Sequence, residues 1–430
     1  MSLFKQIIIN LTILYFFIVL YKVFYYIYLM FKAYKYRIYP TEKQKTLINK
    51  HIGSCRFVYN LALETKILAY LGNKQNLSAF DLIKQLPDLK KELSWLMEVG
   101  GQSLQTSIHH MDSSFKKFFK GAGFPKFKNK NSKQSFLIPQ YIDINFKTQK
   151  LKISKFREGI KIRLDRYFKG VIKNVTISRT PTGKYFASIL VDTGIEKPKK
   201  IKVKEKTTIG LDLGLKDFII LSNGEKIENP RFLKKSLSKL KYVQRKYSKY
   251  KGKQTKKHLS LLHEKVADQR KDFLHKLSTK LISENQTIAV EDLNVKGMKS
   301  RCNPKEKDGK FLPNEQSKKV GLNRSISDAG WSAFILMLEY KADWYGKNIL
   351  KIGRFEPSSK LCSNCGFTNR KLTLGDREWT CPNCNTSHDR DINAAKNIKA
   401  FALKKLVSGI DTKNQNELPT LVGVMTSEVQ

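Results

Sequence analysis

Two cysteine pairs, Cys362-x₂-Cys365 and Cys381-x₂-Cys384, stand fifteen residues apart in SSKLCSNCGFTNRKLTLGDREWTCPNCNTSHDRDINAAKN, Ser358 to Asn397. Each pair suits a tight knuckle. A hairpin returning between them would bring four thiolates around one zinc ion. Four protein ligands leave no open position, so the spacing predicts a structural metal rather than a catalytic one. His388 follows closely enough to compete as a ligand, but the four cysteines already complete the set. Two disulfides or four free thiols are the alternative reading of the same spacing. Cys55 and Cys302 stand alone in the chain. Such sparse cysteine usage argues against a secreted disulfide scaffold and for a reducing compartment, the cytoplasm.

With 430 residues the chain exceeds one ordinary core, and two or three domains are expected. Lys and Arg number 81 against 37 Asp and Glu, a formal charge of +44. That excess repels itself in a compact state and calls for a polyanionic partner. Nucleic acid is the first candidate and an anionic membrane the second; binding to nucleic acid would weaken steeply with salt. No Gly-x-x-x-x-Gly-Lys-Ser/Thr loop is present, so nucleotide-driven motor chemistry has no support, and no small-molecule substrate is expected.

The opening stretch MSLFKQIIINLTILYFFIVLYKVFYYIYLM is apolar, but Lys22 interrupts it before ~20 apolar residues accumulate. No small-residue cleavage site follows, which fits a signal peptide poorly. Met30 directly precedes FKAYKYRIYP, where soluble patterning begins. Residues 1–29 are therefore expected to be a non-native extension, with a membrane anchor as the alternative.

YKYRIYP alternates as a strand, and Thr41 with Gln44 forms a capping box that starts a helical region. Phe57, Leu61, Thr65 and Leu68 continue at helical spacing. GFPKFKNKNSKQSF, Gly123 to Phe136, is expected to be a basic loop with interleaved aromatics. From Leu151 the period becomes two, and LKISKF, IKIRLDR, VIKNVTISR and KYFASILVDT predict a small β-barrel or sheet. A lysine-rich linker near residue 200 leads to TTIGLDLGLKDFIILSNGEKI, two strands joined through Asn223-Gly224. Residues 231–285 read as a long basic helical stretch with Phe273, Leu274, Leu277 and Leu281 buried. QTIAVEDL is another strand. Asp328 is expected to cap the helix that carries Phe334, Ile335, Leu338, Ala342 and Tyr345 on one face.

Three acids stand out. Alternation places Asp212 on one strand face with Gly210 and Gly214, which predicts open space beside its carboxylate for an ion and a phosphate. Glu291 shares a strand face with Thr287 and Ala289, and Asp391 stands at the mouth of INAAKNIKAFAL, two residues after Asp389. Singly, these acids fit a strand end, an ion pair and a helix cap. Together they fit phosphodiester hydrolysis by two divalent ions ~3.5–4 Å apart, which needs several converging carboxylates. Magnesium accepts such hard ligands while keeping reactive waters.

YKYRIYPTEKQ, CRFVYNLAL, GLDLGLK, RKDFLHKLST, VEDLNVKGM, SDAGWSAF, PSSKLCSNCG, WTCPNC and HDRDINAAKNI occur in order from about residue 32 to 400. In this set the chain resembles the TnpB family, RNA-guided nucleases of bacterial insertion sequences related to type V CRISPR effectors. The resemblance implies a multidomain α+β protein. Residues 30–150 would hold the N-terminal strand, the helical recognition lobe and the basic loop, and residues 151–203 a β-barrel wedge domain. A ribonuclease H-like (RuvC) α/β nuclease domain would occupy 204–353 and 389–408, with a zinc ribbon inserted at 354–388 and a disordered tail at 409–430. It also implies that Asp212, Glu291 and Asp391 are the catalytic, magnesium-binding triad, choosing Asp391 over Asp389. The same likeness makes Cys362, Cys365, Cys381 and Cys384 the zinc ligands. A guide RNA from the transposon end and double-stranded target DNA, cut beside a short motif, are the implied partners. The competing expectation is a nucleic-acid-binding accessory or regulator of transposition that does not cleave.

Overall fold

The computed structural model describes residues 29–407 apart from positions 308 and 374. The apolar segment 1–29, save Leu29, and the tail 409–430 lie outside the described residues, so the expectations placed on them are not addressed. Among the described residues no helix is long and apolar enough to cross a membrane. The chain divides into two compact units between Glu196 and Lys197.

The first unit opens with β1 (Leu29–Tyr39), followed by α1 (Glu42–Asn73), α2 (Ala79–Lys84), α3 (Leu86–Glu92) and α4 (Gly101–Phe119). Six strands follow: β2 (Gln134–Ile138), β3 (Asp143–Asn145), β4 (Lys150–Ile153), β5 (Phe156–Arg163), β6 (Val171–Arg179) and β7 (Tyr185–Glu196). Thr41 caps α1, and the reciprocal bond from Gln44 completes the capping box. The buried face of α1 is Ile48, Ile52, Cys55, Val58, Tyr59, Ala62 and Leu63, whereas Phe57 and Leu68 are exposed. The helix is where periodicity put it, and the side that faces the sheet and α4 is the buried one.

The seven strands form one antiparallel sheet in the order β2-β6-β7-β1-β5-β4-β3. This corrects the expected barrel: β2 and β3 are edges and do not pair with each other, so the sheet stays open. Nor is it built from residues 151–203 alone. The N-terminal β1 lies at its centre, antiparallel to both β5 and β7. Tyr36 and Ile38 of β1, Ile160 and Ile162 of β5, and Ile189 and Val191 of β7 join the apolar face of α1 and α4 in a single core. His51 sits inside it, stacked on Phe136, with Nδ1 donating to Leu47 O and Nε2 accepting from Gly100 N–H. Burial first, and then Lys155, lower its pKa, so the ring is neutral and structural.

The second unit contains β8 (Thr208–Leu213), β9 (Asp217–Leu221), β10 (Lys226–Glu228), α5 (Phe232–Tyr250), α6 (Lys253–Glu284) and β11 (Thr287–Glu291). Beyond these lie α7 (Val295–Met298), β12 (Lys305–Lys307), β13 (Lys310–Leu312), α8 (Gln316–Ala329), α9 (Trp331–Tyr345) and β14 (Asn348–Ile352). The chain then forms β15 (Glu378–Thr380), β16 (Ser387–Asp389) and α10 (Arg390–Val407). The main sheet runs β10-β9-β8-β11-β14; the first three strands are antiparallel, and β8, β11 and β14 are parallel. One face carries Ile209, Leu211, Ile288 and Val290 against α6 and α9. The other carries Ala289, Leu350 and Ile352 against Ile398 and Ala402 of α10.

Two local expectations change here. The basic helical stretch is broken at Lys251, whose φ of 46° ends α5 before α6 begins. Asp328 does not cap the helix after it. It lies in the last turn of α8, and Gly330 at φ 75° separates α8 from α9 without room for a cap. Its carboxylate instead accepts from Leu233 and Lys234 N–H at the start of α5 and pairs with Arg270 at 3.0 Å. Arg231, the residue before α5, supplies no side-chain cap of its own, so a distant acid completes that helix end.

Candidate nuclease centre and its cysteine ribbon

Asp212 and Glu291 come together through strand register. Gly210 pairs with Ala289 and Leu211 with Val290 across parallel β8 and β11, so the two acids follow at adjacent strand ends on the same face. That face is the one α10 covers. A Cβ on Gly210 would lie 2.0 Å from Ala395 O and 2.9 Å from Lys399 N. The glycine therefore does not leave space for an ion, as its place beside Asp212 had implied. It lets the backbone of α10 press onto β8. Gly214 has no vacancy either, since its Cβ would meet Asp217 O at 2.6 Å. Ala395 lies one helical turn beyond Asp391, so this close approach carries the helix mouth over the acids.

The capping role at that mouth falls to Asp389. Its Oδ1 accepts from the N–H groups of Asp391 and Ile392, both at 3.0 Å, and its other oxygen pairs with Lys226 of β10. Burial opposes ionisation of Asp389, but Lys226 and these amides outweigh it and lower its pKa. Asp391 is thereby spared from capping. Its carboxylate lies 3.2 Å from both Arg377 and Arg390. Asp212 is pushed up to about 7, first by burial and then by the charges of Glu291 and Asp391. Burial also raises Glu291, although a hydrogen bond from Ser358 works against the shift. Asp212 thus feels the charge of both other acids, while the arginine pairs are made with Asp391.

The four cysteines form a tighter set. Their sulfurs all lie within 4.8 Å of one another, the one such His, Cys, Asp or Glu group of three or more among the described residues. Cys362 and Cys384 are 3.7 Å apart, and Cys365 and Cys381 are 3.6 Å apart. Thiolates ~2.3 Å from a tetrahedral zinc would be separated by about 3.8 Å, so the residues fit that ion. No disulfide joins any of the four. His388 is not part of the set: its Nε2 lies 3.0 Å from Cys362 Sγ, and its ring packs on Trp379. The ribbon's own core is only Cys362, Leu372, Trp379 and Cys381 with Cys384 against it, too little apolar burial to hold without metal. We expect purified protein to carry one zinc per chain by elemental analysis. Cys381→Ser should lose it and lower the melting temperature, since Asn393 and Asn397 of α10 are bonded to Leu361 beside the first ribbon cysteine.

Ser358, Arg377, Arg390, Asn393 and Asn397 escaped the sequence reading. PSSK and NAAKN lay inside quoted motifs, and the spacing of Asn393 and Asn397, one helical turn apart, was the one signal that could have found any of them.

Three family models match the chain: "Probable transposase" over residues 188–301, "Cas12f1-like, TNB domain" over 331–398, and "Helix-turn-helix domain" over 30–75. The last segment here is β1 followed by one continuous helix. A Streptomyces pristinaespiralis protein named as an RNA-guided DNA endonuclease is 36% identical over 396 residues, covering 90% of this chain and 93% of that protein. An Escherichia coli K12 protein of the same designation is 30% identical over 388 residues, covering 88% and 94%. A TnpB-like protein of Acanthamoeba polyphaga mimivirus is 25% identical, covering 86% and 73%. In fold, the chain is similar to the protein of a Cas12f1–sgRNA–target DNA complex, with TM-score 0.52 and 15% identity over 86% of this chain and 99% of that one. Identity of this degree along nearly the full length of both partners decides kinship: the chain belongs to the TnpB-like family of RNA-guided DNA endonucleases.

Proposed function

We propose that this protein is an RNA-guided DNA endonuclease of a transposable element, hydrolysing target DNA at Asp212, Glu291 and Asp391. The observation that carries this reading is the setting of Asp212, whose carboxyl is pushed up to about 7 first by burial and then by the charges of Glu291 and Asp391. Hard carboxylate oxygens, with arginines paired to Asp391 alone among the three, are a donor set that suits magnesium. The strand order, three antiparallel strands continued by two parallel ones, supports a ribonuclease H-like (RuvC) domain with the ribbon inserted before its last helix.

Asp212, Glu291 and Asp391 would hold the ions. Bound there, a magnesium pair supplies an activated water and stabilises the leaving oxygen. Ionised Asp212, facing both other acids, completes the set. Arg377 and Arg390, beside Asp391, place positive charge where a scissile phosphate would approach.

The open sheet of the first unit supplies a second kind of surface. Cross-strand pairing puts Phe186, Arg37 and Arg163 in one row, and Tyr39, Lys161 and Lys150 in the next, on the face opposite the core. Lys35 lies over the Phe186 ring at 4.5 Å, and Arg37 over it at 5.1 Å. Rows of cations and rings fit a guide RNA and its duplex, recognised by backbone and stacking.

The protein co-expressed with transposon-end RNA is expected to cut matched DNA in magnesium. Glu291→Gln or Asp391→Asn should lower the rate roughly 10³-fold or more while RNA binding persists. Binding of RNA and DNA without cleavage in any divalent metal would leave the carrier reading instead.

A further inference from the structure

Glu291 is not held by its strand alone. Its Oε1 accepts a hydrogen bond from Ser358 Oγ at 2.6 Å. Ser358 is buried, and its carbonyl accepts from Asn397 Nδ2 at 2.7 Å. Asn397 also donates to Leu361 O at 2.6 Å. Asn393, one turn earlier on α10, donates to the same carbonyl at 2.6 Å and accepts from Ser363 N–H at 2.9 Å. Both asparagines are almost fully buried, so these bonds are made away from competing water.

The stretch they grip joins β14 to the first ribbon cysteine. It is pinned at one end by the register of Ile352 against Glu291 and at the other by Cys362. Asp391 stands two residues before Asn393 on the same helix. One hydrogen-bonded path therefore runs from Glu291 through Ser358 to the helix that bears Asp391.

We propose that Ser358 is a positioning residue that sets the orientation of the Glu291 carboxylate toward the divalent ions, with Asn397 fixing the serine to α10. This rests on the two-ion reading above. The hydroxyl occupies one carboxylate oxygen and leaves the other to face the ions. Partners of this outer kind are worth ~10–100-fold in metal affinity.

The test uses the full-length, zinc-loaded chain and Mn²⁺, with free Mn²⁺ read by electron paramagnetic resonance. Sites present in the wild type and missing in Asp212→Ala belong to the acids. Ser358→Ala is expected to weaken those sites about tenfold while zinc content and melting temperature hold, and Ser358→Thr, which keeps the hydroxyl, is expected to restore them. In a Glu291→Gln background Ser358→Ala should add no further loss. In the guide-RNA complex, Ser358→Ala should raise the magnesium needed for half-maximal cutting more than it lowers the saturated rate. Acid-dependent Mn²⁺ sites of unchanged affinity in Ser358→Ala overturn the proposal and leave the nuclease reading standing. No difference between wild type and Asp212→Ala overturns that reading itself. If Ser358→Ala folds poorly, the isosteric pair Ser358→Thr and Ser358→Val decides: tighter binding by Thr supports the proposal, and equal binding overturns it.

Discussion

Asp212→Asn is expected to raise the melting temperature of the protein in buffer free of divalent metal, with zinc retained, while abolishing DNA cleavage. An acid held at about 7 against an ordinary 3.8, by burial first and by Glu291 and Asp391 second, corresponds to on the order of 4 kcal/mol. The sign follows from linkage. Below pH ~4 the acid is protonated in both the folded and unfolded states and contributes nothing. From there to about 7 the unfolded chain loses its proton first, so the wild type is progressively destabilised, and above about 7 the penalty is constant. The variant lacks this term. Its advantage in thermal unfolding should therefore grow between pH 4 and 7 and then level off, and magnesium should narrow it by stabilising only the wild type. A variant with no advantage at any pH would mean that neither burial nor the neighbouring carboxylates oppose ionisation of Asp212 in solution. This trade of stability for function is what a set of like charges kept for metal binding predicts.

Gly210→Ala should disable the enzyme without touching a carboxylate. The added methyl would lie 2.0 Å from the carbonyl oxygen of Ala395. Neither β8, which is hydrogen-bonded to strands on both sides, nor the backbone of α10 can yield cheaply. Overpacking usually costs ~1–3 kcal/mol and more when backbone must move, so a melting temperature about 3–10 °C lower is expected. The larger effect is on cleavage. If α10 shifts by even about 1 Å, Asp391 leaves its place beside Asp212, and misplacement of that size costs on the order of 10²-fold. Thermal unfolding together with single-turnover cutting would check both parts. Full activity with an unchanged melting temperature would show that α10 does not seat on Gly210 as described.

These two positions show where sequence reasoning stopped. The capping box at Thr41 and Gln44, the strand alternation of β4 to β7, the Asn223-Gly224 turn and the cysteine spacing were legible, because each depends on residues a few places apart, although the stretch read as two strands around that turn is three, β8, β9 and β10. Gly210 was misread as making room for an ion because the helix that fills that room lies about 185 residues further on. Asp328 was misread for the same reason: the helix end it completes begins at Phe232, far behind it in the chain. Ser358 drew no notice, since nothing near it in sequence explains a buried hydroxyl aimed at Glu291. Helical spacing located α1 without saying which side it buries, because a basic helix offers several apolar stripes and only its neighbours choose among them.

By itself the sequence determined the chemistry available: a polycation, four thiolates at zinc spacing and three acids in strand and helix-mouth settings. Its motifs also carried the family. The tertiary structure alone decided which groups meet. Asp389 caps α10 and leaves Asp391 to the acids, the first unit's sheet stays open around a central N-terminal strand, and Ser358 links Glu291 to the ribbon's base. Turn chemistry and periodicity are short-range, but the charge opposing a carboxylate and the backbone filling a glycine's space come from segments that only folding brings side by side.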